Sequence, residues 1–94
     1  MDRQAYIDKL KAQMDEWNAE IDKFEAKAKK AEADAKIQYE EQLTEMRAQR
    51  DKAEEKLREA RSASEQAWSD MSSSFTAAWD SINDGFRNAM KRFQ

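Results

Sequence analysis

Acidic side chains stand next to one another at Asp15/Glu16, Glu40/Glu41 and Glu54/Glu55. Adjacent carboxylates do acid–base work only when burial or a neighbour drives their pKa values apart. Here each pair lies in highly charged sequence rich in Lys and Arg, which describes a solvated helix face. No glycine-containing calcium loop occurs to gather carboxylates around a hard cation. Lys23, Lys27, Lys29, Lys30 and Lys36 have the charge to meet phosphate, but Glu25, Glu32 and Asp34 alternate with them at helical ion-pair spacing. The chain has no histidine and no cysteine, which removes the usual zinc and copper ligands and thiol chemistry. No Gly-rich phosphate loop or cofactor motif is present. The expectation is a non-enzymatic protein with no catalytic residue, metal or cofactor, acting by association.

The elements that carry these residues follow from composition. The chain has 94 residues, enough for one domain, with 39% charged and 39% hydrophobic residues, one glycine and no proline. So little turn punctuation argues against a sandwich or barrel. A chain dominated by Ala, Glu, Lys, Arg, Gln and Asp reads as all-α, with long helices or a coiled coil. The net charge of -3 and the pI near 5.1 oppose nucleic-acid binding, which needs a concentrated basic surface. No apolar run approaches the ~18 residues that suggest a membrane span, and Met1-Asp2-Arg3-Gln4 opens no signal-peptide core. A cytoplasmic protein is expected, with a membrane periphery as the alternative setting.

The chain changes character near residue 61. Residues 1–61 hold 16 acidic and 14 basic groups, whereas residues 62–94 hold 4 and 3. All seven serines and five of the nine aromatic residues lie in the second part. This divides the chain into a charged stalk, 1–61, and an aromatic-rich amphipathic helix, 62–94. In the stalk, Ile7, Leu10, Met14, Trp17, Ile21, Phe24, Ala28, Ala31 and Ala35 alternate at spacings of 3 and 4. That period of 3.5 keeps one seam toward a partner helix. The spacing becomes 4 and 4 through Tyr39 to Leu43, a stutter, before Met46, Arg50, Ala53, Leu57, Ala60 and Ser64 resume the heptad.

The second part follows an 11-residue rule: Trp68, Met71, Phe75; Trp79, Ile82, Phe86; Met90, Phe93. A period of ~3.67 residues per turn barely drifts around a straight helix, so the eight side chains share one arc of roughly 100°. The stripe has two readings. It is protein core, or it lies in a lipid interface, where a polar face of Ser69, Asp70, Ser72, Ser73, Ser74 and Thr76 suits helices that sense packing defects. Arg87, Lys91 and Arg92 suit a helix C-terminus, where cations offset the helix dipole. Gly85 inside this helix costs ~1 kcal/mol against alanine and allows a kink or a close helix approach.

Ser62-Ala63-Ser64-Glu65 fits a capping box and suggests a helix start near residue 62. Folding residues 65–93 back over 33–61 would set Trp and Phe against an alanine-rich seam. This helical hairpin, a long coiled-coil helix followed by a shorter one, is slightly favoured over a single continuous helix. Either arrangement leaves Ile7, Leu10, Met14, Trp17, Ile21 and Phe24 exposed, and a contiguous apolar stripe marks an interface. Each such side chain gains ~1.5–3 kcal/mol on full burial. A homo-oligomer, dimer or larger, is therefore expected, with those six residues as its seam.

Met1-Asp2-Arg3-Gln4-Ala5-Tyr6-Ile7, Asp15-Glu16-Trp17-Asn18-Ala19-Glu20-Ile21-Asp22-Lys23, Glu25-Ala26-Lys27-Ala28, Ala67-Trp68 and Ala78-Trp79 carry a resemblance. With them the chain resembles small bacterial coiled-coil proteins of a stress-response family from cyanobacteria and proteobacteria, over nearly its whole length. The resemblance implies a cytoplasmic, non-enzymatic helical protein linked to stress, and it carries no catalytic residues. The 11-residue period is also similar to that of exchangeable apolipoproteins, a shared period and not a shared family. The leading expectation is a self-associating structural or scaffold protein. The alternative is a peripheral lipid binder acting through Trp68–Phe93.

Overall fold

The computed structural model describes residues 2–91. It is all-α, with three helices: α1, Arg3–Lys30; α2, Ala33–Ser62; α3, Glu65–Lys91. At 1.5 Å per residue each is ~40–45 Å long, and the Cα envelope is 52 × 18 × 17 Å. Glu25 meets Arg47, Asn18 meets Arg50 and Arg3 reaches Ala60, so α1 and α2 run antiparallel. Tyr6 pairs with Thr76 and Gln13 with Asn83, so α1 and α3 run parallel.

The expected stalk helix over 1–61 is instead two helices, and the chain is neither one rod nor a two-helix hairpin. The reversal lies at Ala31 and Glu32, just before the stutter. Both residues adopt extended backbone, φ/ψ of -79°/152° and -70°/163°. Any L-residue tolerates that conformation, so the turn needs neither glycine nor proline. Lys27, Lys29 and Lys30 fill the last turn of α1, where cations oppose the helix dipole. At the other end of α1, the Asp2 carboxylate accepts the backbone N–H of Gln4 at 3.1 Å and caps the helix.

The second turn also corrects the sequence reading. The α3 cap is Ser64, whose hydroxyl accepts the Ala67 N–H at 3.0 Å. Ser62 belongs to the last turn of α2 and donates to the Arg58 carbonyl. Ser64 serves because it is the residue three before Ala67, the position whose N–H an N-cap side chain satisfies.

The six residues expected to face a partner molecule are buried inside this one chain. Ile7, Leu10, Met14, Trp17, Ile21 and Phe24 share a core with Leu43, Met46, Ala53, Leu57 and Ala60 of α2 and with α3. The exposure that implied an oligomer is thereby absent, because a third helix supplies the cover that a hairpin lacks. In α3, Trp68, Phe75, Trp79, Ile82 and Phe86 are buried, and Met71 and Met90 are partly buried against the same core. Phe93 lies outside the described residues.

Side-chain size sets the spacing of the helices. Met46, Ala53 and Ala60 of α2 retain 0% exposure. Two alanines on its inner face let the α2 backbone come close to both neighbours, large side chains filling the space beside small ones. Between α1 and α3 both faces are bulky, and no Cα pair there lies within 8 Å among the described residues.

Candidate functional site

Rings fill the space between α1 and α3. Trp17 of α1 stacks on two α3 rings at once, Phe86 at 4.8 Å and Trp79 at 5.6 Å between centroids, each tilted by 13°. Phe75 lies 6.2 Å from Trp79 and 5.4 Å from Trp68. Tyr6 closes the far end, 5.9 Å from Phe75 and 6.1 Å from Trp68. Six rings thus form one continuous ladder along the seam. Separations of 4.5–7 Å with tilted or stacked planes are those at which aromatic pairs add ~0.5–1.5 kcal/mol beyond burial.

The heptad and the 11-residue repeat explain why the ladder forms. Each keeps its large residues on one face of its helix over several turns. In parallel helices, equal steps along each axis keep the two stripes in register. Hence Tyr6 meets Phe75 and Thr76, and some three turns on Trp17 meets Phe86. The two stripes that the sequence assigned to separate surfaces are the two walls of one seam.

Neutral hydrogen bonds edge the ladder. The Trp79 indole N–H donates to Gln13 Oε1 at 2.7 Å, and the same amide donates to Asn83 Oδ1 at 3.3 Å. Tyr6 and Thr76 hydroxyls meet at 3.3 Å. Two shallow open grooves lie along this edge. One is bordered by Tyr6, Leu10, Gln13, Thr76 and Trp79, the other by Trp17, Glu20, Phe86 and Met90, and Asn83 lies in both.

The contacts of α2 are chemically different. Arg3 of α1 donates to the Ala63 carbonyl at 2.6 Å and to the Ala60 carbonyl at 3.4 Å, capping the C-terminal end of α2. A cation suits that end of the helix dipole. Arg47 pairs with Glu25 at 2.7 Å. The Arg47 hydrogen bond and charge hold the Glu25 carboxyl below its ordinary pKa. Arg50 donates to Asn18 at 3.4 Å and to Asp51. This places the polar heptad residue at the edge of the seam with its charge led outward. Toward α3, the buried Gln42 amide donates to the Met90 carbonyl, and Gln49 lies over Gly85. A Cβ at position 85 would stand 2.8 Å from Gln49 Cδ, so this glycine makes room for the end of the Gln49 side chain.

The outer face of α3 is quiet. Hydroxyls there turn back onto their own helix, Ser74 to the Met71 and Ser72 to the Ser69 carbonyl, as does Thr76 at the seam edge to the Ser72 carbonyl. Such back-bonding satisfies the hydroxyl locally, while the exposed Glu65, Asp70, Asp80 and Asp84 make the face acidic. From Glu65 to Phe86 the helix carries no cation. The three adjacent carboxylate pairs are solvent-exposed at every residue, and Arg58 engages Glu55 at 2.6 Å. Of the lysine cluster, Lys27 lies 5.1 Å over the Phe24 ring, a cation–π distance, and all five are exposed.

Tyr6, Gln13, Gln42, Gln49, Asn83 and Arg3 were not legible as residues that join the helices. Tyr6 and Gln13 flank the heptad positions Ile7 and Met14, and that adjacency was the available signal. Arg3 gave none, because its partner carbonyls are 57 and 60 residues away.

The fold defines an antiparallel three-helix bundle with one aromatic seam. No protein-family model, curated protein or solved structure matches the chain.

Proposed function

We propose that the protein is a non-enzymatic lipid-surface binder whose aromatic seam is its lipid-contacting surface. One observation carries this reading. The stripe of α3 is backed by an exposed face of Ser, Ala and Asp, with Glu65 and Gln66 at its start and no cation between Glu65 and Phe86. Helices of that make bind lipid through packing defects and apolar area, not through anionic charge. Trp and Tyr dominate the ladder, and their amphipathic rings suit the boundary between headgroup and acyl chain. Burial in the bundle and burial in a lipid interface both remove apolar area from water, so a lipid surface is an alternative cover for the same stripe.

Co-flotation of the full chain with small, highly curved phosphatidylcholine vesicles tests this. The expected outcome is flotation with curved neutral vesicles, much less with large flat ones, and little gain from anionic lipid. A protein that stays at the bottom of the gradient with all of them refutes the reading.

A second reading, self-association as a scaffold, draws on a different face. Ala5, Ala12, Ala19 and Ala26 recur every seven residues on the outer side of α1, all exposed. Asp8, Asp15 and Asp22 line one flank, and Lys9, Lys23 and Lys30 the other, interrupted by Glu16. Parallel pairing of two copies would set the acidic flank against the basic one, the charge logic that orients helix pairs. Sedimentation equilibrium at tens of micromolar tests it: a dimer that Ala19→Arg dissociates supports a scaffold, and a monomer refutes it. A link to stress rests on the family resemblance.

A further inference from the structure

We infer that the bundle opens along the α1–α3 seam, with α1 and α3 swinging apart about α2 so that the three helices lie side by side on lipid. The inference rests on the lipid-binding reading and specifies which interface yields.

Two observations distinguish this seam from both other interfaces, and a third distinguishes it from α1–α2, since the α2–α3 tie of Gln42 to the Met90 carbonyl is also neutral. First, α2 comes close to both neighbours, whereas no α1–α3 Cα pair lies within 8 Å among the described residues. Second, the chain joins α1 to α2 at Ala31–Glu32 and α2 to α3 at Ala63–Ser64. The seam itself has no covalent link, so it opens while both turns stay closed. Third, the polar ties differ in kind. Arg3 and Arg47 fasten α1 to α2 by a helix-end cap and an ion pair. The bonds described across the seam, from Gln13 to Trp79 and Asn83 and from Tyr6 to Thr76, are neutral. They are also partly exposed, so water or a lipid headgroup can replace each one.

Opening this seam bares both walls of the ladder together. Trp17, Phe75, Trp79 and Phe86 then face one side of a flat helix array, with α2 between them. Departure of α3 alone would also break the Gln42–Met90 bond and the packing of Gln49 on Gly85, leaving a buried amide without its partner. Opening along the seam keeps both. The two open grooves at its edge are where a lipid acyl chain first meets the rings.

The test uses the absence of native cysteine. Three double variants of the full chain carry a short reducible bismaleimide: Gln13→Cys/Asn83→Cys across the seam, Asn18→Cys/Arg50→Cys across α1–α2, and Gln49→Cys/Gly85→Cys across α2–α3. Each is checked for wild-type helicity and monitored with curved phosphatidylcholine vesicles. The seam-locked protein should lose at least tenfold in bound fraction and recover it on reduction, while the other two locks should float like the unlocked protein. Flotation of the seam-locked protein, or loss of flotation with the α2–α3 lock, overturns the inference and leaves lipid binding standing. If the unlocked chain does not float, the lipid reading itself fails and the inference with it. A second readout needs no lock. Pyrene attached to both introduced thiols of the Gln13→Cys/Asn83→Cys variant should give excimer emission in solution that disappears on vesicles. Persistence of the excimer in vesicle-bound protein also overturns it.

Discussion

The inner face of α2 and the seam between α1 and α3 bury the same kind of surface by opposite means. At α2, Ala53 and Ala60 are fully covered because the neighbouring side chains and backbones come down onto them. At the seam the helices stay apart and rings fill the gap, with Trp17 held between Trp79 and Phe86. Close backbone packing on small residues leaves little room for change, since one extra methylene has nowhere to go. A ring-filled gap concentrates its stability in a few large side chains. Helices of one short bundle thus meet their neighbours at different spacings, set by residue size and not by total hydrophobicity.

The largest effect is expected at Trp17. Trp17→Ala removes the ring on which two others stack and should destabilise the fold by about 3–5 kcal/mol, a large part of the stability of so small a domain. Urea unfolding followed by far-UV circular dichroism measures it, and a loss under about 1 kcal/mol, the size of a single aromatic pair, would deny the ladder its central place. Ala53→Leu tests the other region by overpacking and should cost about 1–3 kcal/mol. A neutral result there would mean that α2 is no more tightly packed than the seam.

Gln13→Ala removes the acceptor of the Trp79 indole at a partly exposed edge, where water can substitute. The expected loss is about 0.5–1.5 kcal/mol, with a red shift of tryptophan emission. Gly85→Ala probes the α2–α3 contact. Its clash is with the far end of the flexible Gln49 side chain, which can turn to solvent. A net gain of a fraction of the ~1 kcal/mol propensity difference is therefore expected. Adding Gln49→Ala should release the remainder.

The smallest effect belongs to Glu25. Arg47 lowers its pKa in the folded chain, so its contribution is present at neutral pH. It is lost as pH falls below 4.5, the ordinary value, through the lowered one. Because both partners are well exposed, salt screens the pair. Glu25→Gln should flatten the acid limb of the stability–pH curve slightly at low ionic strength and leave it unchanged at high salt.

Much of this was legible in residue order. Heptad spacing from Ile7 to Phe24 and the 11-residue spacing from Trp68 onward each named the buried face of a helix, because side-chain direction follows directly from helical periodicity. The large-against-small logic also placed α3 over 33–61. The reversal at Ala31–Glu32 was not legible, because extended backbone suits any residue and leaves no compositional mark. The stutter through Ala35, Tyr39 and Leu43 was its trace, and a stutter also occurs in an unbroken coil.

Residue order alone specifies an all-α chain, the residues that each helix must bury, and the cation-free stretch of α3 from Glu65 to Phe86. These depend on local periodicity and composition. Only the tertiary structure decided what those faces bury against. A stripe specifies that it must be covered, but another molecule, a lipid surface or a later helix of the same chain covers it equally well. The hydrophobic effect is non-directional, and the choice among covers falls to chain reversal and side-chain size across the whole bundle.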